Sequence, residues 1–215
     1  MARSTKEEAL ETRNRILDAA EDVFFEKGVS RASLADVASA ANVTRGAIYW
    51  HFKNKTDLFD AMCERVRLPM EAMVEANGEA GGPDPLGQLR ATCVFLFKET
   101  VRNPHSRKVF DIMFHKCEFV SEDDPILIRQ REWFLKGSKN LERILRNAIS
   151  KEQLPADLDV RLAATAMHAQ IDGLLNNWLF SPNSFNLASN AERLADTCID
   201  TVRFAPSLRK QPARC

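Results

Sequence analysis

A chain of 215 residues with 30 basic and 30 acidic side chains, for a formal net charge of +0, has room for a small head and a larger core. It has no excess charge with which to coat nucleic acid non-specifically. No apolar run reaches the ~18 residues of a membrane span and the start lacks a secretory apolar core, so a cytoplasmic protein without membrane contact is expected. Five scattered cysteines (Cys63, Cys93, Cys117, Cys198 and Cys215) are odd in number and read as reduced thiols on helix faces, not a disulfide frame or zinc site.

In chain order, Ser4-Thr5 followed by Glu7-Glu8 offers overlapping capping boxes for a first helix, with Arg3 and Lys6 as a solvated basic lead-in. Ile16, Leu17, Ala20, Val23 and Phe24 form its apolar stripe, and Gly28 ends it. Leu34, Val37, Ala38 and Ala41 repeat the helical spacing, with Ser33 as N-cap and Asp36 as its carboxylate partner. Asn42 tolerates the left-handed backbone needed to turn at once into a third helix, which Thr44 caps and Ile48 and Phe52 anchor inward. Two short helices joined this way form a helix-turn-helix, completing a three-helix unit over residues 1–53.

The second helix of that pair leaves a distinctive set of side chains for solvent. Gly46 and Ala47 are small enough for close approach to base edges, and Arg45 can fork onto guanine or phosphate. Tyr49, His51, Lys53 and Lys55 suit a phosphate backbone, with Trp50 beside them. No Asp or Glu falls between Asp36 and Asp57, so local positive charge builds up inside a neutral chain. Asn54 caps the next helix, whose N-terminus favours an anion. With the caps Ser33 and Thr44, these are the candidate DNA-binding residues.

A longer helix then carries Leu58, Phe59, Met62 and Val66, with a kink expected at Pro69 and an end before Gly78. Gly81 to Pro85 is the clearest loop. Leu86, Leu89, Cys93, Leu96 and Phe97 mark a helix that breaks at Asn103-Pro104, and Val109, Ile112 and Met113 mark a short one. Ser121 to Pro125 reads as a turn. Phe134, Leu141, Ile144, Leu145 and Ala148 give a long amphipathic helix, and Leu154-Pro155 separates it from two last helices, near 157–180 and 188–204. Strand-like alternation is absent. The fold class expected is all-α, with residues 54–215 forming the second, larger domain.

The stretch VTRGAIYWHFKNKTDLF resembles the recognition helix and following linker of the TetR family of bacterial repressors. MARSTKEEALETRNRIL, FHKCEF, LPADLD, DGLLNNWLFSP and APSLR extend the resemblance over nearly the whole chain, toward the family's local repressors of multidrug efflux pumps. That resemblance implies a homodimer on palindromic operator DNA, released by hydrophobic or aromatic small molecules, with no cofactor. It also implies that the last two helices pair with those of a second subunit. Their apolar stripes, Met167, Leu174 and Trp178 with Leu194, Cys198 and Val202, are the expected dimer residues.

For the ligand, His168 and Asp172 share one face of an otherwise apolar helix, where an ionisable group must be paired, solvated or used. The resemblance places Asp172 where related repressors line their drug pocket with an aspartate. Phe110, Phe114, Leu141 and Ile171 also align with pocket positions, and Val66, Leu89, Cys93, Leu96, Met113 and Leu175 complete the expected lining. Aromatics at Phe110 and Phe114 replace polar side chains, which implies a more apolar ligand preference; His168 is a further departure, from an aromatic. Enzymatic motifs are missing: there is no phosphate loop, nucleophile elbow or carboxylate pair in an evident cleft. The alternative is a redox- or metal-responsive regulator sensing through Cys117 and His115.

Overall fold

The computed structural model describes residues 6–76, 82–119 and 121–211, and every regular element among them is helical. In chain order they are α1 Lys6–Lys27, α2 Leu34–Ala40, α3 Arg45–His51, α4 Lys55–Ala76, α5 Pro85–Arg102, α6 Pro104–His115, α7 Pro125–Ser150, α8 Val160–Phe180 and α9 Ala191–Phe204. A short 3-10 turn, Pro206–Leu208, follows, and an isolated antiparallel bridge joins Leu158 to Arg209. The Ser4-Thr5 boxes, Arg3, Gly78, Gly81 and Cys215 lie outside the described residues.

The chain divides into two compact units. The first comprises Met1–Leu68 and Pro104–Gln130; the second comprises Pro69–Asn103 and Arg131–Cys215. Packing thus divides the chain elsewhere than at 53/54, which marks the end of α3 and not the edge of a packed unit. α4 runs through Pro69 as one helix, and the division between units falls just before that proline.

In the first unit, Ile16, Leu17, Ala20 and Phe24 of α1 are fully shielded from solvent, and α1 packs on both α2 and α6. Gly28 ends α1 at φ 76, with its N–H on the Phe24 carbonyl (3.0 Å). A Cβ there would meet no crowding, so glycine is needed for its backbone alone. Ser33 and Asp36 form the reciprocal capping box, and Asn42 takes the left-handed turn at φ 51. Thr44 accepts the Ala47 N–H (3.1 Å), while Ile48 and Phe52 are buried. The segment after α6 is stitched to the end of α1: Val29 N–H donates to the Lys116 carbonyl (2.8 Å) and the Ser30 hydroxyl to the Glu118 carbonyl (2.6 Å).

In the second unit α9 packs on α5 and α8 around Cys93, Phe97, Ala163, Met167, Leu175, Ala195, Cys198 and Val202. Arg90 grips Asp196 with two bonds (2.5 and 3.0 Å) and Lys98 pairs with Glu192 (2.6 Å). These pairs are solvent-exposed, so each contributes little to stability. α8 and α9 both start three residues later than the apolar spacing suggests. Asp159 caps α8 by accepting the Leu162 N–H (3.1 Å), and side-chain turns at Asn186 and Ser189 delay α9. Along α7, Leu141, Leu145 and Ala148 are buried as expected, but Phe134 is 51% exposed.

Candidate nucleic-acid interface and ligand-facing residues

The recognition helix is fixed from below and open above. Ile48 and Phe52 hold α3 down, and the Arg13 guanidinium lies 5.2 Å from the centre of the Phe52 ring. Arg45, Gly46, Tyr49, Trp50 and Lys53 stand exposed, with Ala47 and His51 half-buried. Trp50 is 73% exposed and meets His51 edge-on at 4.5 Å. A cleft of about 650 Å³ runs between Ala32–Ala35, Arg45, Tyr49 and the Lys53–Lys55 junction. Ala35, which the sequence did not single out, belongs to that cleft together with Leu34 and the helix cap Asn54.

Local chemistry refines several of the expected contacts. The Ser33 hydroxyl accepts from Asp36 N–H (3.1 Å) and donates to the Asp36 carboxylate (2.7 Å), so its first role is structural. Lys27 pairs with Asp36 (2.7 Å), and these bonds hold that carboxyl far below the usual range. Burial, with Arg13 nearby, pushes the His51 pKa down, which favours its neutral imidazole over a charge. Lys55 departs furthest from expectation. Its ammonium donates to the carbonyls of Val29 (2.8 Å), Ser30 (3.1 Å) and Ala32 (3.1 Å), which uses all three of its N–H bonds. Lys55 therefore ties down the α1–α2 turn and has no donor left for a phosphate; Lys53 is the exposed lysine of this junction.

Of the expected ligand residues, Val66, Phe110, Met113 and Phe114 belong to the first unit. Val66 and Phe110 are buried there, while Phe114 is 36% exposed. Leu89, Cys93, Leu96, Leu141, His168, Ile171, Asp172 and Leu175 belong to the second unit, where α8 carries a polar constellation. The His168 ring stacks on Phe134 (4.8 Å, 12° between planes) and its Nδ1 lies 3.2 Å from the Ser138 hydroxyl. Its Nε2 is 3.7 Å from the Asp172 carboxylate. Partial burial raises the Asp172 pKa, with His168 pulling the other way, while 42% of the side chain stays exposed to solvent. Phe134 and Ser138, one turn apart on α7, were missed from the sequence because Phe134 read as core.

Burial within the single chain separates the expected dimer residues into two groups. Met167, Trp178, Cys198 and Val202 are buried within their own chain, and Leu174 and Leu194 are half-buried. The large apolar side chains that α8 and α9 leave outside are Leu162, Phe180 and Phe204. Sensing through Cys117 and His115 is disfavoured. Burial pushes the Cys117 thiol up to about 12, against a hydrogen bond from Gln130, so it stays a protonated thiol. His115 meanwhile pairs with Asp111 on its own helix (2.6 Å).

Comparison with known proteins fits this arrangement. Residues 16–62 match the model for bacterial regulatory proteins of the tetR family, and residues 84–204 match the C-terminal region of MAATS-type transcriptional repressors. TtgR, a transcriptional regulator of Pseudomonas putida, is 41% identical over 210 residues, covering 98% of this chain and 100% of that protein. The crystal structure of NalD, secondary repressor of the MexAB-OprM multidrug efflux pump in Pseudomonas aeruginosa, superposes with a TM-score of 0.80 at 35% identity, covering 93% of this chain and 100% of that one. SmeT of Stenotrophomonas maltophilia, solved with triclosan, gives 0.80 at 31% identity, covering 95% and 100%. No helix among the described residues is long and apolar enough to cross a membrane. With a helix-turn-helix head, a helical second unit and relatives matched end to end, the chain belongs to the TetR family of bacterial transcriptional regulators, a family of regulators and not of enzymes.

Proposed function

We propose that this protein is a homodimeric repressor of an efflux-pump operon. Residues 1–53 read a palindromic operator, and residues 54–215 dimerise and bind hydrophobic or aromatic drug-like inducers. The observation that carries the reading is the exposed face of α3, where Arg45, Tyr49 and Trp50 stand on a helix capped by Thr44 and anchored by Ile48. A helix this short reads few base pairs, and two copies on a twofold axis multiply that reading. The inducer is anchored at Asp172, beside the His168–Phe134 stack, against an otherwise apolar lining. Release is ordinary linkage: the inducer prefers a conformation whose paired recognition helices do not fit successive grooves.

Footprinting on the DNA upstream of the neighbouring pump operon tests both halves. Wild type protects a palindrome and triclosan removes that protection. Arg45→Ala loses protection while keeping its helical content, with a cost of about 1–3 kcal/mol for a lost bidentate base contact. Asp172→Ala still protects the operator but needs more triclosan to leave it. Protection by Arg45→Ala equal to wild type would sink the DNA half, and equal triclosan response in Asp172→Ala the inducer half.

A further inference from the structure

Within the second unit, α7 and α8 meet at polar groups that are only partly matched. The His168 ring is held on three sides by α7. Phe134 stacks on its face (4.8 Å, 12° between planes), and the Ser138 hydroxyl lies 3.2 Å from Nδ1. Its Cε1 lies 3.5 Å from where a Cβ at Gly137 would stand. Phe134 and Ser138 are four residues apart on α7, so they share a face and meet the same ring together. The edge left over is Nε2, which is turned toward Asp172.

The gap from Nε2 to the Asp172 carboxylate is 3.7 Å, too long for a hydrogen bond. Among the described residues, neither Nε2 nor the carboxylate has another hydrogen-bond partner. Both remain reachable, with 22% of the His168 side chain and 42% of the Asp172 side chain exposed. The facing carboxylate favours a proton on Nε2, and the Ser138 hydroxyl then donates to Nδ1. In a charged ring the same hydroxyl accepts from Nδ1–H, so Nε2 keeps its proton either way. The pair therefore offers one N–H donor and one carboxylate acceptor side by side. A hydroxyl satisfies both, accepting from Nε2–H and donating to Asp172. Water does so too, and a ligand that displaces it without a hydroxyl loses those bonds. An ammonium has no lone pair with which to accept, so it pairs with Asp172 while facing the His168 N–H.

We propose that His168 sets the chemical class of the inducer: together with Asp172 it selects a neutral hydroxyl on an apolar aromatic body over an amine of the same shape. This rests on the reading of Asp172 as the inducer anchor and adds a discrimination that a carboxylate alone does not make, since a lone carboxylate prefers the cation. Phe134, 51% exposed beside the imidazole, offers an aromatic surface for that body.

Calorimetry on the full-length protein near neutral pH, with 2-naphthol and 2-naphthylmethylamine, tests the assignment. Wild type is expected to bind the naphthol about tenfold more tightly than the amine. His168→Phe keeps a ring for Phe134 to stack on but has no N–H, and there the preference is expected to vanish or reverse. A wild type that binds the amine as tightly as the naphthol overturns the proposal. So does a His168→Phe protein that keeps the wild-type preference, or the absence of saturable naphthol binding up to about 1 mM. Should His168→Phe fail to fold, judged by its thermal melt, Ser138→Ala decides: it removes the hydroxyl that holds Nδ1, and an undiminished preference there overturns the proposal. Asp172→Ala tells two failures apart. If it binds both probes as wild type does, the anchor itself falls and this proposal with it. If it weakens both while His168→Phe keeps the preference, only the role of His168 falls.

Discussion

Two neighbouring lysines divide the work at the α3–α4 junction, and only their partners tell them apart. Lys55 satisfies three backbone carbonyls of the α1–α2 turn, and Lys53 stands in solvent. Lys55→Ala is expected to lower stability by about 1.5–3 kcal/mol, the range for hydrogen bonds to a charged group. Lys53→Ala should melt like wild type but bind every DNA sequence more weakly, with the salt slope reduced by about one. Thermal melts and salt-titrated operator binding separate the two, and a wild-type melt for Lys55→Ala would refute its structural role. In the sequence both lysines looked like phosphate contacts, because spacing along a helix does not reveal which carbonyls lie across a turn. The same blindness hid Glu21. It is 1% exposed on α1, yet meets His105 from α6 (2.6 Å) and Arg65 from α4 (3.2 Å), partners 84 and 44 residues away.

Among elements, the capping and turn chemistry of α2 and α3 was fully legible: Ser33, Asp36, Asn42 and Thr44 each do what their residue types suggest. These signals are local, so a sequence carries them whole. The apolar stripes of α8 and α9 were legible as stripes but not as to what they face. Trp178 and Val202 fill their own chain's core, and Leu162, Phe180 and Phe204 remain outside. Phe180→Glu is therefore expected to weaken the dimer by about 2 kcal/mol or more, as for a central apolar anchor, without loss of helix. Trp178→Glu should instead lower the melting temperature sharply, since it buries an unpartnered charge in the subunit core. Sedimentation and melting of the two variants check this. A Phe180→Glu protein that stays dimeric at low concentration would move the interface elsewhere.

For the whole molecule, acid stability is set by opposing groups of carboxyls. Asp84, Glu192 and Asp196 are held below their usual range by hydrogen bonds: Asp84 to Gly87 N–H and Gln153, Glu192 to Lys98, and Asp196 to Arg90. Their contribution is present above the unfolded pKa and lost as pH falls through the folded one. Glu21 runs the other way. Burial raises its pKa above 4.5 despite His105 and Arg65, so its contribution is largest in acid and is lost as pH rises through the folded value. Glu21→Gln, which resembles the protonated form, should gain on wild type as pH climbs from about 4 to 7. Melting curves across that window test the sign. A difference that is flat, or that shrinks with rising pH, would mean that His105 and Arg65 more than offset the burial.

The stitching of residues 104–130 to α1 has a bearing on how such a regulator is inherited and recombined. A single crossover that moves an N-terminal segment between relatives leaves the second piece of the first unit, residues 104–130, behind. The Val29–Lys116 link runs from backbone to backbone and survives almost any exchange of side chains, and the Ser30–Glu118 link needs only a hydroxyl at residue 30. The Glu21–His105 pair does not, because it needs both partners from one lineage. The portable cassette is thus discontinuous in the gene, and a chimera that keeps its parent's packing in the first unit has to carry both of its pieces.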